Sequence, residues 1–252
     1  MSIVTYVLIV SFILTEDKLP HTIQGMDGKN IWIVIAAYNE SETIAGVLSE
    51  FSDYPYHIVV VDDGSTDETY SEAMQFPVTV LKHITNLGQG AALQTGIDYI
   101  LQEEQCDCIV TFDADGQHEP AEIQKLVAPI LNHEVDAVLG SRFIESESSL
   151  SLPAMRRIML KVAIWFTRIT TRLPLTDTHN GLRAFSVSAV QKIRITANRM
   201  AHASQILSQI SENKIKYKEI PVNIQYTEYS LSKGQSILEF VNILWEILTG
   251  GV

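Results

Sequence analysis

The run DCIVTFDADGQH at residues 107–118 joins a short apolar stretch, residues 107–112, to the acidic turn Asp113-Ala114-Asp115-Gly116-Gln117-His118. An apolar run of that length, closed by a turn rich in Asp and Gly, reads as a buried strand whose end carries polar chemistry. Alternation along an extended end puts Asp113 and Asp115 on one side, with Gln117 following. Two carboxylates and an amide oxygen suit Mg2+ or Mn2+, which take oxygen ligands and keep room for water and phosphate oxygens. The same residues also describe a solvated acidic turn, so neighbouring motifs have to decide between the two.

Upstream, the same unit recurs. Residues 31–36 (IWIVIA) form a buried-strand run, followed by Asn39-Glu40-Ser41 and a helical pattern to about Asp53. Residues 57–61 (HIVVV) end in Asp62-Asp63-Gly64-Ser65-Thr66-Asp67, with a helix to about Gln75 and a third strand at 78–82. Downstream of the loop Asn86-Leu87-Gly88-Gln89-Gly90, residues 88–104 and 119–133 read as helices and 136–140 as a strand. Apolar runs alternating with helices predict an α/β fold, a mainly parallel sheet flanked by helices, with ligands at the carboxyl ends of the strands. In the DDGSTD run, Ser65 or Thr66 is placed to cap the next helix, and the carboxylates are placed to accept hydrogen bonds from a base or ribose. The 86–90 loop turns backbone amides and a helix dipole toward an anion.

Composition narrows the class. The chain has 252 residues, 46% hydrophobic and 19% charged, with 13 glycines and 8 prolines, which fits one globular domain and excludes collagen-like, coiled-coil and disordered chains. A net charge of −12 argues against a nucleic-acid binder. The two cysteines, Cys106 and Cys108, are too close in sequence for an ordinary disulfide. A reducing, cytoplasmic setting follows from that usage.

Ala37-Tyr38-Asn39-Glu40, the DDGSTD run, NLGQGAAL at 86–93 and DADGQH occur in an order and spacing that resemble family 2 glycosyltransferases of the GT-A fold. Within that family the chain is most similar to the dolichyl-phosphate mannose synthase-like, polyprenyl-phosphate branch, over residues 31 to 236. The resemblance implies a GT-A domain at 30–235, an N-terminal extension at 1–29 and a C-terminal amphipathic helix at 236–252. It implies that Ala37, Tyr38, Glu40 and Asp63 line the nucleoside pocket. Asp113, Asp115 and Gln117 would hold a divalent metal, Mg2+ or Mn2+, at the donor diphosphate. Gly140-Ser141-Arg142 matches the family's GSR, and Asn180-Gly181-Leu182-Arg183-Ala184-Phe185 its (S/N)GxRxF segment, so both arginines serve phosphates. Each also follows a strand-like segment facing the same end of the sheet. Lys233, in Ser232-Lys233-Gly234, is a further phosphate partner by resemblance.

The acceptor is read from a gap. A hydroxyl acceptor must lose a proton to a general base, whereas a lipid phosphate is already ionised. Relatives often carry an acid near position 205, and this chain has Gln205 in Arg199-Met200-Ala201-His202-Ala203-Ser204-Gln205. His202, Asp177 and His179 are the remaining candidates, His202 being equally readable as a packing residue. The reading is therefore a metal-dependent inverting transferase that moves a sugar from a nucleotide sugar to a polyprenyl phosphate. The alternative is transfer to a saccharide hydroxyl in surface-polysaccharide assembly of the O-antigen or capsule type. A phospho-acceptor signalling domain, with Asp62, Asp63 and Asp113 as its acids, is the distant alternative, against which the chain's length counts.

Membrane contact is expected from three places. Residues 153–173 contain Arg156, Arg157, Lys161, Arg168 and Arg172 and no acid. On a helix, Arg157, Lys161, Arg168 and Arg172 share an arc of about 60°, beside Ile158, Val162, Trp165, Phe166 and Ile169. Such a helix fits an anionic membrane surface, and equally a core-packing helix with a solvated basic stripe. The polar stretch before it, 145–151, is a candidate lid. The apolar runs at 3–14 and 237–248 are each shorter than the roughly 20 residues a bilayer span requires. The first reads as an accessory strand or helix, or a weak membrane-contacting tail. A lipid-acceptor enzyme built this way is peripheral at the cytoplasmic face, or relies on a small membrane-anchor subunit.

Overall fold

The computed structural model describes residues 8–10, 28–103, 105–144, 162, 164–165, 167–178, 180–197 and 201–225. Outside them fall Lys233, His179, the stretch 145–151, the run 236–252 and most of the extension 1–29.

Strands β1 (Leu8–Val10), β2 (Ile31–Ala37), β3 (His57–Asp62), β4 (Thr79–Lys82), β5 (Cys108–Asp113), β6 (Ala137–Ser141), β7 (Arg183–Ser186) and β8 (Tyr217–Pro221) form one sheet. Its order is β1-β4-β3-β2-β5-β7-β6-β8. The expected mainly parallel sheet is present: β2, β3, β4 and β5 run together, and β6 and β8 share their direction. β7 runs against both β5 and β6, and β1 pairs antiparallel with β4 at the edge.

Strand alternation builds two cores. Ile31, Ile33 and Ile35 of β2, with Val60, Val110 and Phe112, face helices α1 (Ile44–Glu50) and α4 (Ile123–Leu131). Trp32 and Val34, with Val59, Val61 and Ile109, face α3 (Gln89–Ile100), α5 (Val187–Val190) and α6 (Ala201–Glu212). A strand buried on both faces must be apolar at every position, which is why IWIVIA shows no polar alternation. Helix α2 (Thr69–Ala73) follows the DDGSTD turn.

From β2 the chain winds outward through β3 and β4, then returns across β2 to β5. The carboxyl ends of β2 and β5, carrying Ala37 and Asp113, thus flank the point where the winding reverses, the usual place for a ligand crevice. One expectation changes here. Arg142 does follow β6, but Arg183 begins β7 rather than following a strand. It still reaches the crevice because β7 is antiparallel: its first residue pairs with Thr111 of β5 and Leu139 of β6 near their carboxyl ends.

Candidate active site

The loops after β2 and β3 are stitched together. The Asn39 amide donates to Ser65 Oγ at 3.0 Å, the Thr66 amide to Asn39 Oδ1 at 3.0 Å, and the Glu40 amide to Thr69 Oγ1 at 2.8 Å. Asp67 accepts from the Ser41 and Thr69 amides and from the Thr69 hydroxyl. Burial pushes the Asp67 carboxyl up, but these hydrogen bonds from Thr69 and Ser41 outweigh it and bring it down to about 2. Gly64 has φ +71°, and a side chain there would run into the Thr85–Asn86 backbone, so the turn requires glycine.

Asp62 and Asp63 face inward. Asp62 accepts from the Ser65 amide at 3.0 Å and pairs with Lys82 at 3.0 Å. Asp63 accepts from the Leu87 and Gly88 amides at 2.9 and 2.7 Å and faces His83 Nδ1 at 2.7 Å. The Asp63 carboxylate therefore holds the 83–88 loop in place at the start of α3. At the rim above these acids, Ala37 is buried while Tyr38 is 44% exposed. Glu40 lies alongside, its Oε2 accepting from the Thr43 hydroxyl at 3.0 Å.

Asp113 and Asp115 stand at the end of β5. Gln89, the first residue of α3, donates its Nε2 to Asp113 Oδ1 at 3.1 Å, and the Gln117 amide donates to Asp115 Oδ1 at 3.1 Å. His118 is buried, its Nε2 3.8 Å from Asp113 Oδ2 and its Nδ1 without a hydrogen-bond partner among the described residues. Burial, and then the neighbouring Asp113 charge, push the Asp115 carboxyl up to about 7 against the Gln117 amide. Burial also lowers the His118 imidazole, which favours its neutral form.

This donor chemistry fits a divalent cation. Two adjacent carboxylates that resist sharing negative charge become compatible when a cation lies between them. Among the described residues no group of three or more His, Cys, Asp or Glu side chains forms a cage. A carboxylate pair is what Mg2+ and Mn2+ use when phosphate and water complete the shell.

Two buried arginines follow in the chain, Arg142 after β6 and Arg183 at the start of β7. Arg142 donates its amide and its Nε to Asp177 Oδ2 at 3.2 and 2.6 Å, both side chains being buried. Glu219 of β8 takes the Thr176 and Asp177 amides and the Thr176 hydroxyl, which fixes the turn carrying Asp177. Arg183 is buried and donates to the carbonyls of Asn180 and Thr178 at 2.9 and 3.1 Å. Burial lowers its guanidinium to about 10, with Asp113 and Asp177 opposing the change, so it stays charged near neutral pH.

His202 is buried at the start of α6, its Cβ packed against Gly90 at the start of α3. Gln205 is a local clamp: Oε1 accepts from the Thr196 and Ala197 amides at 2.9 Å each, and Nε2 donates to Thr196 Oγ1 at 2.7 Å. Three residues of this crevice were not singled out from the sequence. Gln89 sat inside a quoted motif, and its place at a helix start beside an acidic strand end was a usable signal. His83 and Glu219 had none, because each acts on a segment brought to it by strand pairing.

A family model described as glycosyl transferase family 2 matches residues 32–194. The UDP-N-acetylglucosamine–dolichyl-phosphate N-acetylglucosaminyltransferase of Methanococcus voltae is 32% identical over 243 residues, covering 88% of this chain and 96% of its own. The dolichol-phosphate mannosyltransferase of Pyrococcus furiosus is 28% identical over 228 residues, covering 86% of this chain and 63% of its own. Among solved structures, glucosyl-3-phosphoglycerate synthase of Mycobacterium tuberculosis with Mn2+ and UDP aligns with a TM-score of 0.63 at 17% identity. That alignment covers 88% of this chain and 78% of that one, a likeness of fold.

Proposed function

The chain belongs to glycosyl transferase family 2, and on that premise we propose that it transfers a sugar from a nucleotide-sugar donor to a polyprenyl phosphate. The anomeric centre is inverted in one in-line displacement. The observation that carries the reading is that the acids at the end of β5 neighbour buried arginine: the Asp113 charge acts on the Arg183 guanidinium, and Arg142 is buried against Asp177 at the end of β6. Anionic donor and acceptor phosphates meet in such a site without a proton having to move. The names of both relatives above, which specify dolichyl phosphate, support the same acceptor class.

In this reading Ala37, Tyr38 and Glu40 border the nucleoside, and Asp63 supports the loop beneath it. Asp113, Asp115 and Gln117 hold the Mg2+ or Mn2+, which supplies Lewis-acid neutralisation of the departing diphosphate. Arg142 and Arg183 stabilise phosphate charge as it develops, with Lys233 a further partner. Asp177 is clamped to the Arg142 guanidinium, which occupies its carboxylate. Gln205, held on the 196–197 backbone, is not a base. Both features favour an ionised acceptor over a saccharide hydroxyl, and His202, the other described candidate, is buried beside α3.

The test is transfer of radiolabelled sugar from a panel of nucleotide sugars to polyprenyl phosphate, with Mn2+ or Mg2+ and with EDTA. Label should enter the lipid fraction only with metal. Metal-dependent nucleotide release with saccharide acceptors, and no labelled lipid, would overturn the acceptor assignment and put His202 first for mutation.

The enzyme works at the cytoplasmic face of a bilayer in this reading. Among the described residues no helix is long and apolar enough to cross a membrane. Helical residues between 162 and 171 bury Ile164, Thr167 and Thr171 and expose Val162, Trp165 and Ile169, with Trp165 64% exposed. Val162, Trp165 and Ile169 thus face outward beside the exposed Arg168 and Arg172. That arrangement fits an anionic lipid surface. Trp165→Glu with Ile169→Glu should cut co-sedimentation with anionic vesicles several-fold while soluble folding is unchanged. Undiminished co-sedimentation would remove this face from the membrane assignment.

A further inference from the structure

Asp113 is set in place by two distant segments, at Gln89 and Gly181, and by His118 of its own turn. Gln89, at the first position of α3, gives its amide N–H to Asp113 Oδ1 at 3.1 Å. His118 approaches the other oxygen, Nε2 to Oδ2, at 3.8 Å. On the remaining flank lies Gly181, where a methyl group would overlap all three atoms of the Asp113 carboxyl group. Thr111, two residues before Asp113, donates its hydroxyl to the Gly181 carbonyl at 2.6 Å and so fixes the 180–182 segment against β5. The carboxylate is confined between a donor and a backbone wall.

From this geometry we infer that Gln89 is a positioning residue for the divalent cation: its amide holds the Asp113 carboxylate in the orientation that receives the ion. The inference rests on the metal-site reading above. Outer partners of ligating carboxylates restrict the rotamer and raise affinity because the ion then meets a ligand already in place, and losing one typically weakens binding by about 10-fold or more. Gln89 suits the task better than a charged residue. A lysine would compete with the ion for Asp113, and a glutamate would add a third negative charge beside the pair. Gly181 acts from the other side by steric limit alone.

The experiment is Mn2+ titration of the full chain, alone and with UDP, followed by the electron paramagnetic resonance of free Mn2+. It is paired with thermal melts in EDTA. Gln89→Leu should weaken Mn2+ binding about 10-fold while the metal-free Tm stays at the wild-type value. Gly181→Ala, which displaces the Asp113 carboxylate from its other flank, should weaken it as well. Equal Mn2+ affinity in wild type and Gln89→Leu would overturn the positioning role alone. A metal-free Tm lowered in step with the affinity would also overturn it, in favour of a general structural role. Wild type that takes up no Mn2+ under either condition would overturn both this inference and the metal site on which it rests.

Discussion

Asp115→Asn should leave a folded protein whose sugar transfer falls by three orders of magnitude or more, with a metal-free form that is more thermostable than wild type at pH 8. The first half follows from the role assigned to the acidic pair. Stabilisation of a leaving group's charge is commonly the largest single contribution to such a barrier, and removing one preorganised element of it costs about 10²–10³ in rate. Losing a metal ligand removes the ion together with its effect on both phosphates. The second half follows from the environment of Asp115. Burial, and then Asp113, raise its carboxyl to about 7, whereas in the unfolded chain it ionises near its ordinary value of 3.8. Between those values the folded state keeps a proton that the unfolded state has lost. Stability is therefore full below the unfolded value and declines as pH rises toward 7. Asparagine never ionises, so its advantage should be present at pH 8 and absent at pH 4. Melts in EDTA at the two pH values, beside the transfer assay, read both halves. Near-normal turnover would end the metal assignment, and an equal Tm difference at both pH values would end the electrostatic explanation.

The second large effect is expected at Asp177. Its carboxylate takes two hydrogen bonds from Arg142, and both side chains are almost wholly withdrawn from solvent. Truncating one member of such a pair leaves the other as a buried charge, at a cost of about 3–5 kcal/mol. For a chain of this size that corresponds to a Tm lowered by about 10 °C. Asp177→Ala should show this loss together with impaired transfer, because Arg142 is no longer held at the end of β6. Asp177→Ala combined with Arg142→Ala should be less destabilised than the sum of the single changes, since the double variant buries no lone charge. Strict additivity in the melts would show that the two side chains contribute separately. A Tm drop below 2 °C for Asp177→Ala alone would show that the pair is relieved by solvent.

The roles divide in an instructive way among residues that looked alike in the sequence. Asp62, Asp63, Asp67, Asp113 and Asp115 all follow strands in short acidic turns. The first three are consumed by backbone amides, His83 and Lys82, and hold loops together. Asp115 differs: burial, and then Asp113, raise its carboxyl to about 7. Motif spelling does not separate a scaffold acid from a ligand acid.

Strand positions, their double-sided burial and the gathering of polar residues at one end of the sheet were legible because each depends on local chain geometry. An apolar run of five or six residues has few ways to be buried, and the turn that ends it is spelled in the next few positions. The family was legible for the same reason, as four local motifs in order. The tertiary structure alone decided which donors meet which acceptors. Gln89 reaches Asp113 across 24 residues, Arg142 reaches Asp177 across 35, and Glu219 reaches the 176–177 turn across 42 to 43. It also decided that Arg183 opens an antiparallel strand and that Trp165 faces outward. Those pairings are set by strand order and register, which follow from how the whole core packs, so no stretch of sequence carries them by itself.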